Sequence, residues 1–291
     1  MDDLGKAREA IEHVSDTALL TAAYRALEAK EADCLVHDPF AERLAGERGL
    51  GLAQGMPVAG FSRFMINARD RFLDDLLLEN IRDKGIQTVL NIGAGLDTRP
   101  WRLGLPESLT WIEVDFSAML RYKAERMSGV KPRCRLMQIE ADISVPEQRA
   151  KFWGQVSLAP ALMITEGVLP YLPYNLFEAL THEAREHAAI KLWAVDITLG
   201  REVVRANPEL AQAIAVRRMA QFSPGDSVSM PTLPAELQKR NWRLITHRTF
   251  VKEGAALASA RFTRLIETYR WLSESKNQPA LEAAGVYLFD K

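Results

Sequence analysis

The segment T-V-L-N-I-G-A-G-L-D-T-R, residues Thr88 to Arg99, decides the fold of the chain. A short apolar run stops at two glycines, which is typical of a buried parallel strand that leads into a tight turn and a helix. Gly93 and Gly95 lack a β-carbon, so the backbone can take positive φ and a ligand can lie against the amides, including that of Ala94. The segment therefore predicts a ligand-binding turn at the end of a central strand.

The turn differs from a dinucleotide-binding fingerprint at one position. The pattern G-x-G-x-x-G has its third glycine where this chain has Thr98, and that glycine packs helix on strand near the pyrophosphate. Asp97 adds a negative charge that repels a diphosphate but attracts an amine or a sulfonium. The turn thus favours a positively charged adenosine cofactor over a dinucleotide.

Strand and helix signals alternate along the chain from this segment onward. Because helices separate most of the strands, they predict an α/β fold with a doubly wound, mostly parallel sheet of seven strands. The predicted strands are Thr88 to Ile92, Leu109 to Asp115, Arg135 to Glu140, Ala161 to Thr165, Ile190 to Asp196, Trp242 to Phe250 and Val286 to Phe289.

The helical patterns that precede the first strand predict an N-terminal helical cap over residues 1–85. Residues 86–291 form the predicted cofactor-binding core, and its long connection at 199–233 is interpreted as a lid-like insertion over the ligand. Glycines and prolines between Gly46 and Gly60 predict a second mobile loop.

The composition limits the class of partner. The chain has 291 residues, 47% of them hydrophobic, so it can bury a large core. Its formal charge of -1 gives no broad electrostatic reason to expect nucleic acid or an anionic membrane as a partner. No signal peptide or membrane-length apolar stretch is recognised, so a cytoplasmic location is expected. Two distant cysteines predict neither a disulfide framework nor a metal site.

The second predicted strand ends in acidic residues. Asp115 lies twenty residues after Gly95, where one carboxylate commonly accepts hydrogen bonds from both hydroxyls of a ribose. Glu113, two residues earlier on the same face, can share this role. Alternatively, Asp115 only caps the helix that begins near Ser117.

The third and fourth strands also end in acids. Asp142 can accept a hydrogen bond from an exocyclic adenine amine, and Ile143 can flank the ring, although an Asp before Ser and Pro is also a common turn residue. Glu166 follows an apolar strand and would be costly to bury without a partner. An ammonium group is a suitable one.

These motifs resemble class I S-adenosylmethionine-dependent methyltransferases, and more narrowly the leucine carboxyl methyltransferase family with its bacterial small-molecule O-methyltransferase relatives. The resemblance implies a Rossmann-like methyltransferase sheet with a helical cap. It rests on G-A-G-L-D-T-R at Gly93 to Arg99, W-I-E-V-D at Trp111 to Asp115, A-D-I at Ala141 to Ile143 and E-G-V-L-P-Y-L at Glu166 to Leu172, with cap motifs at Asp16 to Glu28, Asp38 to Ala41 and Ala68 to Asp75.

The resemblance implies S-adenosyl-L-methionine as cofactor and S-adenosyl-L-homocysteine as product. By that resemblance, Arg69 binds the cofactor carboxylate, Gly93 lies near the methionine amine, Asp115 holds the ribose, Asp142 the adenine, and Glu166 the amino group or its water.

One motif departs from the family pattern. The family usually shows A-R-T-R where this chain has Ala68-Arg69-Asp70-Arg71, so Asp70 can draw an arginine aside. The choice between Arg69 and Arg71 as the carboxylate ligand stays open, because either arginine can also pair with an aspartate farther along the same helix.

Tyr171 is the predicted catalytic residue near the transferred methyl group, with a core tyrosine as the alternative reading. The acceptor is expected to be a carboxylate or phenolic hydroxyl of a small molecule, which needs no general base when ionised. The alternatives are methylation of a protein C-terminal carboxylate, an NAD(P)-dependent oxidoreductase, and a noncatalytic cofactor-binding module. The identity of the acceptor and the oligomeric state are left open.

Overall fold

The structure, a computed structural model, describes residues 14–54, 59–198, 226–268, 273–274 and 278–291. The predicted lid-like insertion lies outside the described residues except for its last part, 226–233. Among the helices that the structure does describe, none combines the length and apolar character needed to cross a bilayer. The division between cap and core at residue 85 stays a prediction.

The described strands form one sheet in the order β3-β2-β1-β4-β5-β7-β6. Strands β3, β2, β1, β4 and β5 are parallel, whereas β7 is antiparallel to both of its neighbours. The predicted doubly wound, mostly parallel sheet is therefore confirmed, and each predicted strand is within one residue of the observed bounds. The bounds are Thr88–Ile92 (β1), Thr110–Asp115 (β2), Arg135–Glu140 (β3), Ala161–Thr165 (β4), Ile190–Ile197 (β5), Arg243–Thr249 (β6) and Gly285–Asp290 (β7).

Helices cover both faces of this sheet. The described α-helices are Val14–Glu28 (α1), Ala41–Gln54 (α2), Ala59–Asp83 (α3), Arg99–Arg102 (α4), Ser117–Arg126 (α5), Pro146–Trp153 (α6), Tyr174–Glu186 (α7), Leu233–Lys239 (α8), Ala255–Leu257 (α9), Ser259–Thr268 (α10) and Gln278–Ala283 (α11). Short 3₁₀ segments occupy Leu169–Tyr171 and Met230–Thr232, and a π-helical turn occupies Phe250–Gly254.

The long helix α3 packs directly against the sheet. Its apolar residues, among them Phe72 and Leu76, share one buried cluster with Val89 of β1 and Leu162 of β4. Strands β1 and β4 are buried at every position, as expected of parallel strands covered on both faces. Because these residues fix α3 on the sheet, the preceding turn of the helix lies at the carboxyl ends of the strands.

The predicted mobile loop from Gly46 to Gly60 is wrong over most of its length. Helix α2 continues to its end at Gln54 after a break at Gly46, where φ is 58°, and α3 begins after the four residues at 55–58. A β-carbon on Gly49 would lie 2.7 Å from the carbonyl oxygen of Leu19 in α1. This glycine therefore permits close packing of two helices, which a composition pattern cannot distinguish from flexibility.

We expect Gly285→Ala to destabilise the protein because the new methyl group has no room. A β-carbon at Gly285 would lie 2.1 Å from the carbonyl oxygen of Arg248 and 2.8 Å from the Cα atom of Thr249. Both atoms belong to the backbone of β6, so the strands must separate, and we expect a loss of about 3 kcal/mol or more in the free energy of unfolding.

Gly51→Ala is the matched control for this substitution. A β-carbon at Gly51 meets no atom within 4 Å, and in a helix the change to alanine is expected to stabilise by about 0.5–1 kcal/mol. Urea denaturation of both variants measures the difference. An unchanged transition midpoint for Gly285→Ala would contradict the pairing of β6 with β7.

Candidate active site

The carboxyl ends of the five parallel strands meet along one edge of the sheet, which we call the rim. Four of these strands contribute an acidic residue to the rim, and the central strand contributes a glycine. In spatial order from β3 to β5, the residues that end or follow the strands are Asp142, Asp115, Gly93, Glu166 and Asp196.

The glycine turn after β1 forms the centre of the rim. Gly93 and Gly95 have φ values of 67° and 45°, a region that side chains disfavour. A β-carbon on Gly93 would also lie 2.4 Å from Cγ2 of Val168, so the turn after β4 packs tightly on this backbone. Ala94 lies between the two glycines, and its backbone N–H donates to the carbonyl oxygen of Val114.

Asp115 binds the glycine turn to the end of β2. Its Oδ2 accepts a hydrogen bond from the backbone N–H of Gly95 at 2.7 Å, and its Oδ1 accepts one from the N–H of Phe116 at 2.7 Å. Burial raises the pKa of this carboxyl. Each oxygen of a carboxylate has a second acceptor position, so both backbone support and ligand binding are compatible with this geometry.

The suggestion that Glu113 shares the ribose with Asp115 is wrong. The side chain of Glu113 is fully buried and accepts hydrogen bonds from Nζ of Lys123 at 2.6 Å and from Nε2 of Gln138 at 2.9 Å. Burial raises its pKa, and Lys123 opposes that effect. One oxygen of Glu113 is therefore engaged in an ion pair and the other in a hydrogen bond with a neutral amide, both below the rim.

Asp142 has the geometry of a turn residue at the end of β3. Its Oδ1 accepts hydrogen bonds from both the backbone N–H and the hydroxyl of Ser144, at 2.8 and 2.6 Å. Both bonds end on the same oxygen. The next residue, Ile143, is partly buried against the core. The adenine-binding role of both residues stays a prediction.

Phe116 is a rim residue that the sequence reasoning missed. It follows Asp115 directly, and 54% of its surface is exposed. Ile143 follows the neighbouring strand β3. An aromatic residue immediately after a strand-end acid is the signal that could have found it.

The structure brings Arg69, and not Arg71, to the rim. Nη2 of Arg69 lies 2.8 Å from Oε1 of Glu166, and Nη1 lies 3.1 Å from Oδ2 of Asp196. Nε of Arg69 is buried without a hydrogen-bond partner among the described residues. Arg71 instead pairs with Asp75 at 3.1 Å, and its side chain is 45% exposed.

Glu166 lies between two guanidinium groups. Besides its contact with Arg69, its Oε2 lies 2.7 Å from Nη1 of Arg99. Burial alone would raise the pKa of Glu166, but Arg99 and Arg69 outweigh burial and lower it. The following residue, Gly167, has φ 65° and donates its N–H to Oδ1 of Asp196 at 2.7 Å, which fixes the turn that carries Glu166.

Arg99 is the centre of a larger group of buried charges. It is 1% exposed and contacts four carboxylates at 2.7–3.4 Å. Three of these carboxylates lie 25, 29 and 67 residues away in sequence, so no local pattern predicts the pairing. We call the group the buried ion-pair cluster, and it consists of Arg25, Arg69, Arg99, Arg102, Asp38, Asp70, Asp74, Asp97, Glu166 and Asp196.

Thr98, which occupies the position of the third fingerprint glycine, connects the glycine turn to the residues before β1. Its hydroxyl donates to Oδ2 of Asp38 at 2.7 Å, and the same oxygen accepts a hydrogen bond from Nε of Arg25 at 2.9 Å. Arg25 also donates to the carbonyl oxygen of Leu96. A glycine at this position could not make the first of these contacts.

Tyr171 lies in the 3₁₀ segment after β4. Burial raises the pKa of its hydroxyl, and Thr17 of α1, which lies beside that hydroxyl, has the smaller effect of lowering the pKa. The hydroxyl therefore has a partner in the protein, as the alternative reading of a core tyrosine expects. Its catalytic role stays a prediction.

Comparison with known proteins adds an independent observation. A model of the leucine carboxyl methyltransferase family matches residues 18–184. A protein of Mycobacterium marinum is 29% identical over 232 residues, with 73% of each chain covered, and one of Streptomyces coelicolor is 31% identical over 226 residues, with 74% of this chain and 75% of its own covered. The names of both assign them to the S-adenosyl-L-methionine-dependent methyltransferases.

A solved structure is similar in fold. The crystal structure of a DUF574 family protein from Streptomyces avermitilis superposes with a TM-score of 0.54 at 15% sequence identity, and covers 93% of this chain and 96% of that chain.

Proposed function

Because the chain belongs to the leucine carboxyl methyltransferase family and is an S-adenosyl-L-methionine-dependent methyltransferase, we propose that it methylates an oxygen of a small molecule. The acceptor atom is a carboxylate or a phenolic oxygen, and we propose natural-product biosynthesis as the setting. The rim is the observation that supports this proposal, because a glycine turn, carboxylates and an arginine lie together along it.

The chemical groups of the rim fit the parts of the cofactor. Glu166 and Arg69 offer opposite charges for its ammonium and carboxylate groups, and Nε of Arg69 is a buried donor without a partner in the described part of the chain. Asp115 is the carboxylate for the ribose. The exposed ring of Phe116 and the side chain of Ile143 offer apolar contacts for adenine.

The protein's contribution to catalysis is to position the reactants. When bound, S-adenosyl-L-methionine supplies a methyl group that its sulfonium already activates. Asp115 and Glu166 hold fixed positions at strand ends, and Arg69 holds one on helix α3. An in-line displacement gains most of its rate from such alignment and from exclusion of water. Tyr171, whose hydroxyl lies beside Thr17, is the proposed residue next to the acceptor.

The positions of the histidines support an acceptor that ionises without help. Among the described residues, His37 and His182 are exposed, and the rings of His187 and His247 stack on Trp153 and Tyr287 respectively. An aliphatic alcohol would need a general base, for which histidine is the commonest side chain. A carboxylate or an acidic phenol is ionised near neutral pH and needs none.

Methyl-labelled cofactor tests this proposal. We expect incubation with a panel of aromatic carboxylic acids and phenols to give labelled small molecules. Label released by mild base identifies an ester, and base-stable label identifies an ether. Transfer only to protein in a cell extract would contradict the small-molecule acceptor, and label on carbon or nitrogen would contradict the oxygen acceptor.

We expect Asp115→Ala to weaken the binding of S-adenosyl-L-homocysteine by about 1–3 kcal/mol, because the ribose loses its acceptor and Gly95 loses its hydrogen bond. Isothermal titration calorimetry measures the change. Asp83→Ala is the control, since the exposed Asp83 side chain pairs only with Arg82 among the described residues and its loss is expected to leave the affinity unchanged. Equal affinities for Asp115→Ala and wild type would remove the ribose assignment.

A further inference from the structure

The buried ion-pair cluster contains more acidic than basic groups. Among the described residues, its six carboxyl groups face four guanidinium groups. Burial of a charge without a compensating partner is costly, and such groups usually neutralise by taking up a proton. A cluster with this imbalance is expected to hold a proton, and to release it when a cation binds.

Asp70 is the carboxyl group in this cluster with the longest contacts. It is 2% exposed, its Oδ1 lies 3.4 Å from Nη2 of Arg99, and its Oδ2 lies 3.8 Å from Nε of Arg25. Glu166 lies closer to the same arginine, at 2.7 Å. Asp70 and Glu166 thus approach the same guanidinium group, so their carboxyl groups lie close to each other. Two carboxyl groups can hydrogen-bond to each other only if one carries a proton.

We propose that Asp70 is a positioning residue that carries this proton, donates it in a hydrogen bond to Glu166, and releases it when the cofactor's ammonium group binds beside Glu166. The neutral Asp70 carboxyl holds Glu166 in place without adding a charge to the cluster. The inference rests on the proposed function, because it uses the placement of the cofactor's ammonium group at Glu166.

The surroundings assign the proton to Asp70. Burial and the charge of Glu166 raise the pKa of Asp70 to about 8, whereas Arg99 and Arg69 lower the pKa of Glu166 below its usual range against the effect of burial. The charged groups around Asp70 are Arg25 of α1, Asp38 and Asp97 of the connections, Arg69 and Asp74 of α3, Arg99 and Arg102 of α4, and Glu166 after β4.

Cofactor binding changes this balance in a defined direction. An ammonium group bound at Glu166 offsets the negative charge of Glu166, which raises the pKa of Asp70 in the free protein. A carboxylate at Arg69 has the opposite effect, but Arg69 influences the pKa of Asp70 less strongly than Glu166 does. The net result is a lower pKa for Asp70 in the complex. A group whose pKa falls on binding releases a proton, so affinity rises with pH below the pKa of the free state.

The residue type at this position matters for the proposal. A threonine here would offer a hydroxyl that can donate a hydrogen bond but does not titrate near neutral pH. Asp70 supplies the same type of donor only while it is protonated. Coupling between pH and cofactor affinity is therefore expected to follow from the aspartate at this position.

Calorimetric titration of the full-length protein with S-adenosyl-L-methionine tests the proposal. Titrations at about pH 6.5 in two buffers of different ionisation enthalpy give the number of protons released on binding. For the wild type we expect about 0.5–1 proton per cofactor. Asp70→Asn keeps a donor to Glu166 and has no proton to lose, so we expect about zero. The cofactor's own ammonium group titrates equally in both proteins and cancels in the comparison.

Asp70→Thr is the second variant, and it also covers the case in which Asp70→Asn does not fold. We expect the wild-type affinity to rise by up to about tenfold per pH unit below pH 8, and the affinity of either variant to stay constant. 5′-Methylthioadenosine, which lacks the amino-acid part, is expected to release no proton.

Two results would overturn the proposal while the cofactor site stands: no proton release by the wild type, or unchanged release in Asp70→Asn and Asp70→Thr. Failure of S-adenosyl-L-methionine to bind the wild type would contradict the proposed function, and this inference with it.

Discussion

Arg99→Met is expected to lower the free energy of unfolding by about 3–5 kcal/mol, because it leaves buried carboxylates without their shared partner. Arg99 contacts Asp70, Asp74, Asp97 and Glu166, and its own side chain is buried. Methionine fills a similar volume but offers no positive charge. Chemical denaturation with urea measures the loss, and we expect a lower transition midpoint.

Arg71→Met is the matched control for this substitution. Arg71 pairs only with Asp75 among the described residues, on the exposed side of α3, and exposed pairs contribute about 0–1 kcal/mol. The same chemical change should therefore have little effect there. Similar losses for Arg99→Met and Arg71→Met would contradict the central position of Arg99 in the buried ion-pair cluster.

Arg69→Met is expected to weaken the binding of S-adenosyl-L-homocysteine by about 2–4 kcal/mol, or roughly 30-fold to 1,000-fold. The substitution removes the proposed partner of the cofactor carboxylate. It also removes a contact that holds Glu166. Isothermal titration calorimetry on the folded variant measures the affinity.

Arg71→Met again provides the comparison, because sequence reasoning left Arg69 and Arg71 as alternatives. We expect it to bind S-adenosyl-L-homocysteine as the wild type does. A large loss for Arg71→Met together with an unchanged affinity for Arg69→Met would show that the structure places the wrong arginine at the rim.

The strands and the residues at their carboxyl ends could be predicted from local sequence patterns. Buried parallel strands are short apolar runs, and the strand Thr88–Ile92 is buried at every position, so its bounds coincide with the pattern. The carboxyl ends of such strands meet at one edge. That rule alone predicts that Asp115, Gly93 and Glu166 lie near one another.

The electrostatic partners of these residues could not be predicted in the same way. The partners of Arg99 at Asp70 and Glu166 are 29 and 67 residues distant in sequence, and charged residues carry no periodic signal that identifies a distant partner. Glu113 illustrates the same limit. Its spacing from Asp115 suggests a shared role, but the pairing with Lys123 is visible only in three dimensions.

We propose that Asp115 binds the adenosine part of the cofactor and that Arg69 binds its amino-acid part. Titration of Arg69→Met and Asp115→Ala with 5′-methylthioadenosine tests it most directly, because this ligand has the adenosine part and lacks the amino acid. We expect wild-type affinity for Arg69→Met and a loss of about 1–3 kcal/mol for Asp115→Ala. Equal losses in both variants, or a loss in Arg69→Met alone, would contradict the claim.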